Sequence, residues 1–240
     1  MHITVQKLPR EMDEPAGQVA VVVDVLRATS VMVTALAHGA REIIACVEIE
    51  EARQIAANGG VQPLLCGERL CQPIVGFDLG NSPSDYTPSL VKERSLVMTT
   101  TNGTRALAAA RNAKRVFAGA FVNLSAVAER LRSEDQVTIV CAGTDGEETE
   151  EDILFAGALI DRLGQWEIDV ILDDGATDAA DQWHSFLNAG GSLVDKLSRS
   201  RGGRNLVLAG YLKDIEDCAQ VSSLSAVPVM ATREPITLRL

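Results

Sequence analysis

The sequence predicts a three-layer α/β/α fold with a largely parallel or mixed sheet, and three observations carry that prediction. Short apolar runs alternate with helix-length segments along most of the chain, the signature of strand–helix–strand units. Aromatic residues make up only 4% of a chain that is 46% hydrophobic, so the core must be Val, Leu, Ile and Ala, as suits helices layered on a buried sheet. Strand candidates end in polar, non-repeating loops at Asp24, Gly67, Thr99 and Ala142, as they do where an open parallel sheet collects its ligand-binding loops. With 240 residues and no repeat, low-complexity tract or long linker, one domain spanning 1–240 is expected.

The elements follow in order. Ile3 to Gln6 reads as a strand, followed by a polar loop with Pro9 and Pro15. Val19 to Val23 is a buried strand that breaks at Asp24, and Val31 to His38 is the next helix, stopped by Gly39. Ile43 to Val47 is a strand, Glu48 to Asn58 a helix closed by Gly59-Gly60, and Pro63 to Cys66 a short strand leading into Gly67-Glu68-Arg69. Ser82 before Pro83, with Asp85 at N3, has the form of a helix start. Leu96 to Thr99 is a strand, Arg105 to Arg111 a helix, Arg115 to Ala118 a strand, Asn123 to Arg132 a helix, Val137 to Cys141 a strand and Ile153 to Leu163 a helix. Helices around Ala176–Leu187 and Asn205–Ala209 and closing strands at Val227–Met230 and Ile236–Leu240 complete the pattern.

A net charge of −11 with no basic stripe argues against nucleic acid or an anionic membrane as partner. Local arginines still allow a small anionic ligand. The five cysteines are scattered without a C-x-x-C pair, so reduced thiols are the simplest reading. The opening MHITVQKLP has no signal-peptide core, and the most apolar stretch, Val19 to Ala37, carries Asp24 and Arg27. A cytoplasmic protein with no membrane span is expected, and a homodimer is the base-rate state for an α/β enzyme of this size.

The stretch Ser95 to Ala106, SLVMTTTNGTRA, is the most informative. A buried strand breaks into hydroxyl residues and an Asn-Gly turn, then enters a helix. Such a turn leaves backbone N–H groups facing outward, and with the hydroxyls of Thr100, Thr101 and Thr104, the Asn102-Gly103 turn and Arg105 it forms a site for a tetrahedral anion. An ordinary capped helix start explains the same residues equally well. Asp24 at the end of a buried strand is costly unless paired or metal-bound. It is read either as a partner for Arg27 or a helix N-terminus, or as a nucleophile or metal ligand. Arg27, Thr29 and Ser30 sit at a helix start, again a place for anions. Glu68 and Arg69 are read as site residues or as a surface ion pair. The run from Glu147 to Asp152 is either solvated charge at a helix N-terminus or, through Glu150, Glu151 and Asp152, a set of oxygen ligands for a hard cation such as Mg²⁺. Cys141 reads as a small buried hydrophobe, and none of the scattered histidines is given a catalytic role. No G-x-G-x-x-G, P-loop or G-x-S-x-G elbow is present.

With these residues in place, the sequence resembles the 2-phosphosulfolactate phosphatase (ComB) family. The matching segments are VVVDVLRATSVMVTALAHGA, CGER, GFDLGNSP, MTTTNGTRAL, VCAG followed by EED and AG, and LKDIEDCAQ with VPV. They cover most of the chain; DVLRATS and TTTNGTRAL are the specific ones. The resemblance implies an α/β phosphatase that uses Mg²⁺ to remove phosphate from the small anionic ester 2-phospho-3-sulfolactate. Asp24, Arg27 and Glu68 are then the catalytic candidates. Thr29, Ser30 and Thr100 to Arg105 would hold phosphate. Asp24, Glu150, Glu151 and Asp152 would hold the metal. Asp24 is left as nucleophile or as metal ligand. The alternatives are a phosphatase for another small anionic phosphoester, a transferase with an acceptor pocket, or a module that binds an anion without turnover. Leu-Cys-Gln-Pro after Arg69 departs from the glycines and small residues expected there, in a loop that can face the substrate's non-phosphate end.

Overall fold

The computed structural model describes residues 1–10, 16–58, 62–166 and 169–240. Pro15 and the Gly59-Gly60 helix stop lie outside them. The strands are β1 His2–Gln6, β2 Ala16–Val23, β3 Glu42–Ala45, β4 Leu64–Arg69, β5 Gln72–Pro73, β6 Ser95–Thr99, β7 Ala113–Gly119, β8 Gln136–Cys141, β9 Ile171–Leu172, β10 Val229–Arg233 and β11 Ile236–Arg239. The helices are α1 Ala28–Ala37, α2 Ile49–Asn58, α3 Pro88–Val91, α4 Gly103–Ala110, α5 Leu124–Leu131, α6 Glu150–Gly164, α7 Asp174–Ala189, α8 Leu193–Arg199, α9 Arg201–Leu208 and α10 Leu212–Cys218.

All of these strands join one mixed, largely parallel sheet in the order β5-β4-β6-β3-β11-β10-β7-β2-β8-β1-β9. Parallel pairing holds β4, β6 and β3 together on one side and β7, β2, β8, β1 and β9 on the other. The antiparallel hairpin β10–β11 stands between them. Its two strands form as the sequence expects, but in the middle of the sheet rather than at an edge. Three successive antiparallel pairings separate β3 from β7, so the two parallel groups run in opposite ladder senses. The sheet is thus mixed and largely parallel, as the sequence predicts, and the loops that follow β2, β4, β6 and β8 still come together around one cavity.

Burial on both faces explains the unbroken apolar strands. In β2, Val19, Val21 and Val23 pack with Phe155 and Leu159 of α6 and Ala179 of α7. Ala20 and Val22 face the other way, onto Met32 of α1 and Leu107 of α4. In β6, Leu96 and Met98 join that same inner cluster, whereas Val97 meets Ala52 of α2. Helices α1 and α4 thus serve both parts of the sheet, and each part is covered on both faces. Being enclosed, α1 is buried from Ala28 to Leu36 and lacks a polar face. It starts earlier than its apolar run suggests, because Asp24 accepts the first amides.

Candidate active site

The ends of β2, β4 and β6 meet where α1 and α4 begin. Asp24 follows β2 and is 7% exposed. Its Oδ1 accepts the Ala28 amide at 3.1 Å, and its backbone oxygen accepts the Thr29 amide at 3.0 Å. Its Oδ2 lies against the start of α4. A Cβ added to Gly103 would stand 2.8 Å from that oxygen and 2.5 Å from the Ala28 Cβ, so only glycine lets the two helix starts approach this closely. Burial, then the Glu68 and Glu151 carboxylates, push the Asp24 carboxyl up to about 7, against the opposing pull of the Ala28 amide and Arg27.

The Asn-Gly turn after β6 is secured from two sides. Glu68 Oε1 accepts the Thr101 amide at 2.8 Å and its hydroxyl at 2.9 Å, while Oε2 accepts the Cys71 amide at 3.0 Å. Thr100 Oγ1 accepts the Thr104 amide at 3.2 Å. This leaves the backbone amides of Asn102 and Gly103 without a partner among the described residues. Glu68 is thus a buried clamp on two loops and not half of a surface ion pair. Arg69 is likewise spent on Glu68 O, Val47 O and Thr99 Oγ1.

Arg27 is 3% exposed and pairs with neither Asp24 nor Glu68. Its Nη1 donates to Asp214 Oδ2 at 2.5 Å and to Ser82 Oγ at 3.4 Å, and its Nη2 donates to Cys71 O at 2.9 Å. The guanidinium lies 4.6 Å from the centre of the Tyr211 ring. Ser82 stands, as expected, at the N-cap of a 3-10 turn, Pro83–Asp85, but its hydroxyl makes no capping bond and donates to Asp214 Oδ2 at 2.8 Å. A guanidinium has five donors. The three bonds leave Nε–H and one Nη2–H without a partner among the described residues.

Of the acidic run, only two side chains turn inward. Asp152 is buried and accepts the Val25 amide at 2.9 Å and the Gly143 amide at 3.1 Å, which fastens the Asp24 loop to the end of β8. Glu151 is 2% exposed; its carboxylate lies against Ser200 and the Gly202 amide, and its Oε2 has no hydrogen-bond partner among the described residues. A Cβ on Gly202, at the start of α9, would lie 2.1 Å from Glu151 Oε1. Burial raises both carboxyls, Asp152 well above its usual range, with neighbouring carboxylates adding to the rise. Glu150 points outward and pairs with Lys196 at 3.1 Å; Glu147 pairs with Arg201 and Glu148 with Lys7. The structure therefore does not bring Glu150 to the cluster. Among the described residues no three His, Cys, Asp or Glu side chains form a ready metal cage. Mg²⁺ does not require one, since it binds through one or two carboxylates plus water and phosphate oxygens. The unpartnered Glu151 oxygen and the mutual repulsion of Asp24, Glu68 and Glu151 fit such a cation.

Asp24, Arg27, Glu68, Thr101, Asn102 and Asp145 stand in the wall of a cavity of about 450 Å³; Glu151 and Asp152 lie behind that wall. Four expected phosphate ligands brace the cradle from behind instead of lining it. Thr29 Oγ1 donates to Gly119 O at 2.7 Å, and Ser30 Oγ donates to Val25 O at 2.8 Å. Thr100 and Thr104 bond each other. Arg105 is exposed and is not part of the wall. Sequence reasoning gave no site role to Asn81, Ser82, Asp214, Tyr211 and Asn205, although Asn81 and Ser82 lie in the GFDLGNSP segment and Asp214 in LKDIEDCAQ. Cys141 is fully buried, and burial raises its thiol, as its reading as a small hydrophobe requires.

The family described as 2-phosphosulpholactate phosphatase matches residues 3–233. A probable 2-phosphosulfolactate phosphatase of Pseudothermotoga lettingae is 42% identical over 220 residues, 91% of this chain and 92% of that one. One of the same name from Symbiobacterium thermophilum is 40% identical over 228 residues, 94% of this chain and 97% of the other. Another, from Thermotoga petrophila, is 40% identical over 211 residues, 88% of each. The VLRATS segment after Asp24 and the TNGTR turn, which the structure brings face to face, lie within the matched span, and the chain belongs to the 2-phosphosulfolactate phosphatase family.

Proposed function

We propose that the protein hydrolyses 2-phosphosulfolactate to sulfolactate and inorganic phosphate in a Mg²⁺-dependent reaction. The observation that carries this reading is the Asp24 carboxylate facing an anion cradle at the joined starts of α1 and α4. The Asn102 and Gly103 amides and the two remaining N–H groups of Arg27 are donors for phosphoryl oxygens, and their charge complementarity grows as the transition state forms. Asp24 Oδ2 is the group that either attacks phosphorus, giving an aspartyl-phosphate that water then hydrolyses, or stays a ligand while water attacks. Trapping a phospho-enzyme separates the two. Glu68 holds the cradle turn and the Leu70-Cys71 tip in register, and Asp152 holds the Asp24 loop. Mg²⁺ would be held by Asp24 and Glu151, with Glu68 beside them, and would neutralise phosphoryl charge.

A binding module without turnover fits less well, because a pure anion site gains nothing from several carboxylates. Five unpaired thiols suit a reducing cytoplasm, and no described helix is long and apolar enough to cross a membrane. The test is phosphate release from 2-phosphosulfolactate with Mg²⁺ and with EDTA. Release that stops on chelation is expected. Tight binding of inorganic phosphate with no release from any ester contradicts the proposal.

A further inference from the structure

The cavity has two unlike ends. Its floor holds the cradle and the carboxylates, and Arg27 is the one cation in its wall among the described residues. Its wall also carries Leu26, Leu70, Leu206, Leu208 and Ala209, beside the polar Asn81, Thr144, Asp145 and Asn205. Two of these leucines stand almost free, Leu70 at 86% exposure and Leu208 at 87%. They come from different parts of the chain, one from the β4–β5 hairpin tip and the other from the end of α9. The Tyr211 hydroxyl donates to Gln72 Oε1 at 3.4 Å and links the two lips.

The hairpin tip is costly to build as it stands. Leu70 and Cys71 adopt φ of 53° and 65°. A two-residue hairpin with two positive φ values normally recruits Asn and Gly, and a leucine there is strained. The Glu68–Cys71 and Arg27–Cys71 bonds hold the tip in place with site residues. Strain kept at a site by the site's own groups points to use of the side chain so displayed.

A cavity of about 450 Å³ also lies inside the range of about 300–1,000 Å³ typical of pockets for drug-sized ligands. A substituent that leaves the cradle toward the mouth therefore has Leu70 and Leu208 within reach and, among the described residues, no further cation in the wall. We infer that the same site hydrolyses 2-phospho esters of hydroxy acids with an apolar group, such as phenyl, on the third carbon, and favours them over the methyl analogue. This rests on the phosphatase reading. In the step, a P–O bond to water oxygen forms and the P–O bond to the ester oxygen breaks, its electron pair leaving on that oxygen. One water proton ends on the hydroxy acid, the other on phosphate.

The test compares 2-phospho-3-phenyllactate with 2-phospholactate. Wild-type kcat/KM should favour the phenyl ester by about tenfold or more, the scale on which hydrophobic pockets read added carbon. Leu70→Asn combined with Leu208→Ser should bring the ratio to within about threefold of unity, with the loss on the phenyl ester. Asn accepts positive φ, so the turn survives. Val75→Ser is the control, an 88% exposed apolar residue outside the cavity, and should keep the wild-type ratio. A wild-type ratio near one, or a ratio unchanged in the double variant, overturns the inference and leaves the phosphatase reading intact. If neither ester nor 2-phosphosulfolactate releases phosphate, both fall.

Discussion

The first 105 residues and the segment from Leu193 to Cys218 build the same site by different means. The first region supplies Asp24, Glu68 and the Asn102-Gly103 amides, each at the end of a buried strand that fixes the backbone around it. The second supplies Asp214, Tyr211, Gly202 and one of the two apolar lips, Leu206 to Ala209, from short helices packed on one another. Charge that reacts is placed by the sheet. Groups that aim it are placed by helices that need only the right packing. The contrast teaches that Arg27, which lies in the first region, is oriented by the second through the Asp214 pair and the Tyr211 ring.

Breaking the first region should have the largest effect. Asp24→Asn should reduce kcat by about a thousandfold or more, the scale of losing a nucleophile or its equivalent. The same change should stabilise the fold at neutral pH. The Asp24 carboxyl is raised to about 7 from its usual 3.8, so the folded chain holds this proton more tightly than the unfolded one. Its contribution is complete below about pH 4 and lost as pH rises through about 7. Thermal melts of Asp24→Asn against wild type should thus show a gain at about pH 8 that vanishes near pH 4. Equal melting differences at both pH values would count against the burial argument.

Next comes the junction of the two regions. Gly103→Ala should lower kcat/KM by about a hundredfold, because its methyl strikes Ala28 and Asp24 and a small misplacement is costly there. The second region follows. Asp214→Asn should cost about tenfold in kcat/KM, the scale of roughly 1.4 kcal/mol. In an Arg27→Met background it should cost almost nothing further, because its effect passes through Arg27. Additive losses would mean that Asp214 supports the fold alone. Smallest of all, Glu150→Gln should leave activity within about twofold, since that carboxylate sits in a surface pair with Lys196. A large loss with magnesium-dependent KM would return Glu150 to the metal set.

Much of the first region is legible in the sequence because backbone geometry and chemistry coincide there. Asp24 interrupts a strand otherwise built of valine and alanine, and Asn102-Gly103 marks a turn that also exposes amides. Thr29, Ser30, Thr100 and Thr104 show the limit of such reading. A hydroxyl near an anion cradle can line it or brace it, and burial decides which. Glu150, Glu151 and Asp152 show the same limit, because α6 turns successive carboxylates to different sides. Asp214 and Ser82 were out of reach for another reason. They meet Arg27 across 187 and 55 residues of chain, and no local pattern encodes that distance. The central position of β10 and β11 was hidden likewise, since pairing order depends on tertiary contacts.

A crystal structure with Mg²⁺ and inorganic phosphate tests the central claim most directly. The account predicts phosphate on the Asn102 and Gly103 amides and Arg27, with the cation between it and the Asp24 and Glu151 carboxylates. Phosphate bound elsewhere, with Asp24 untouched by either ion, would contradict it.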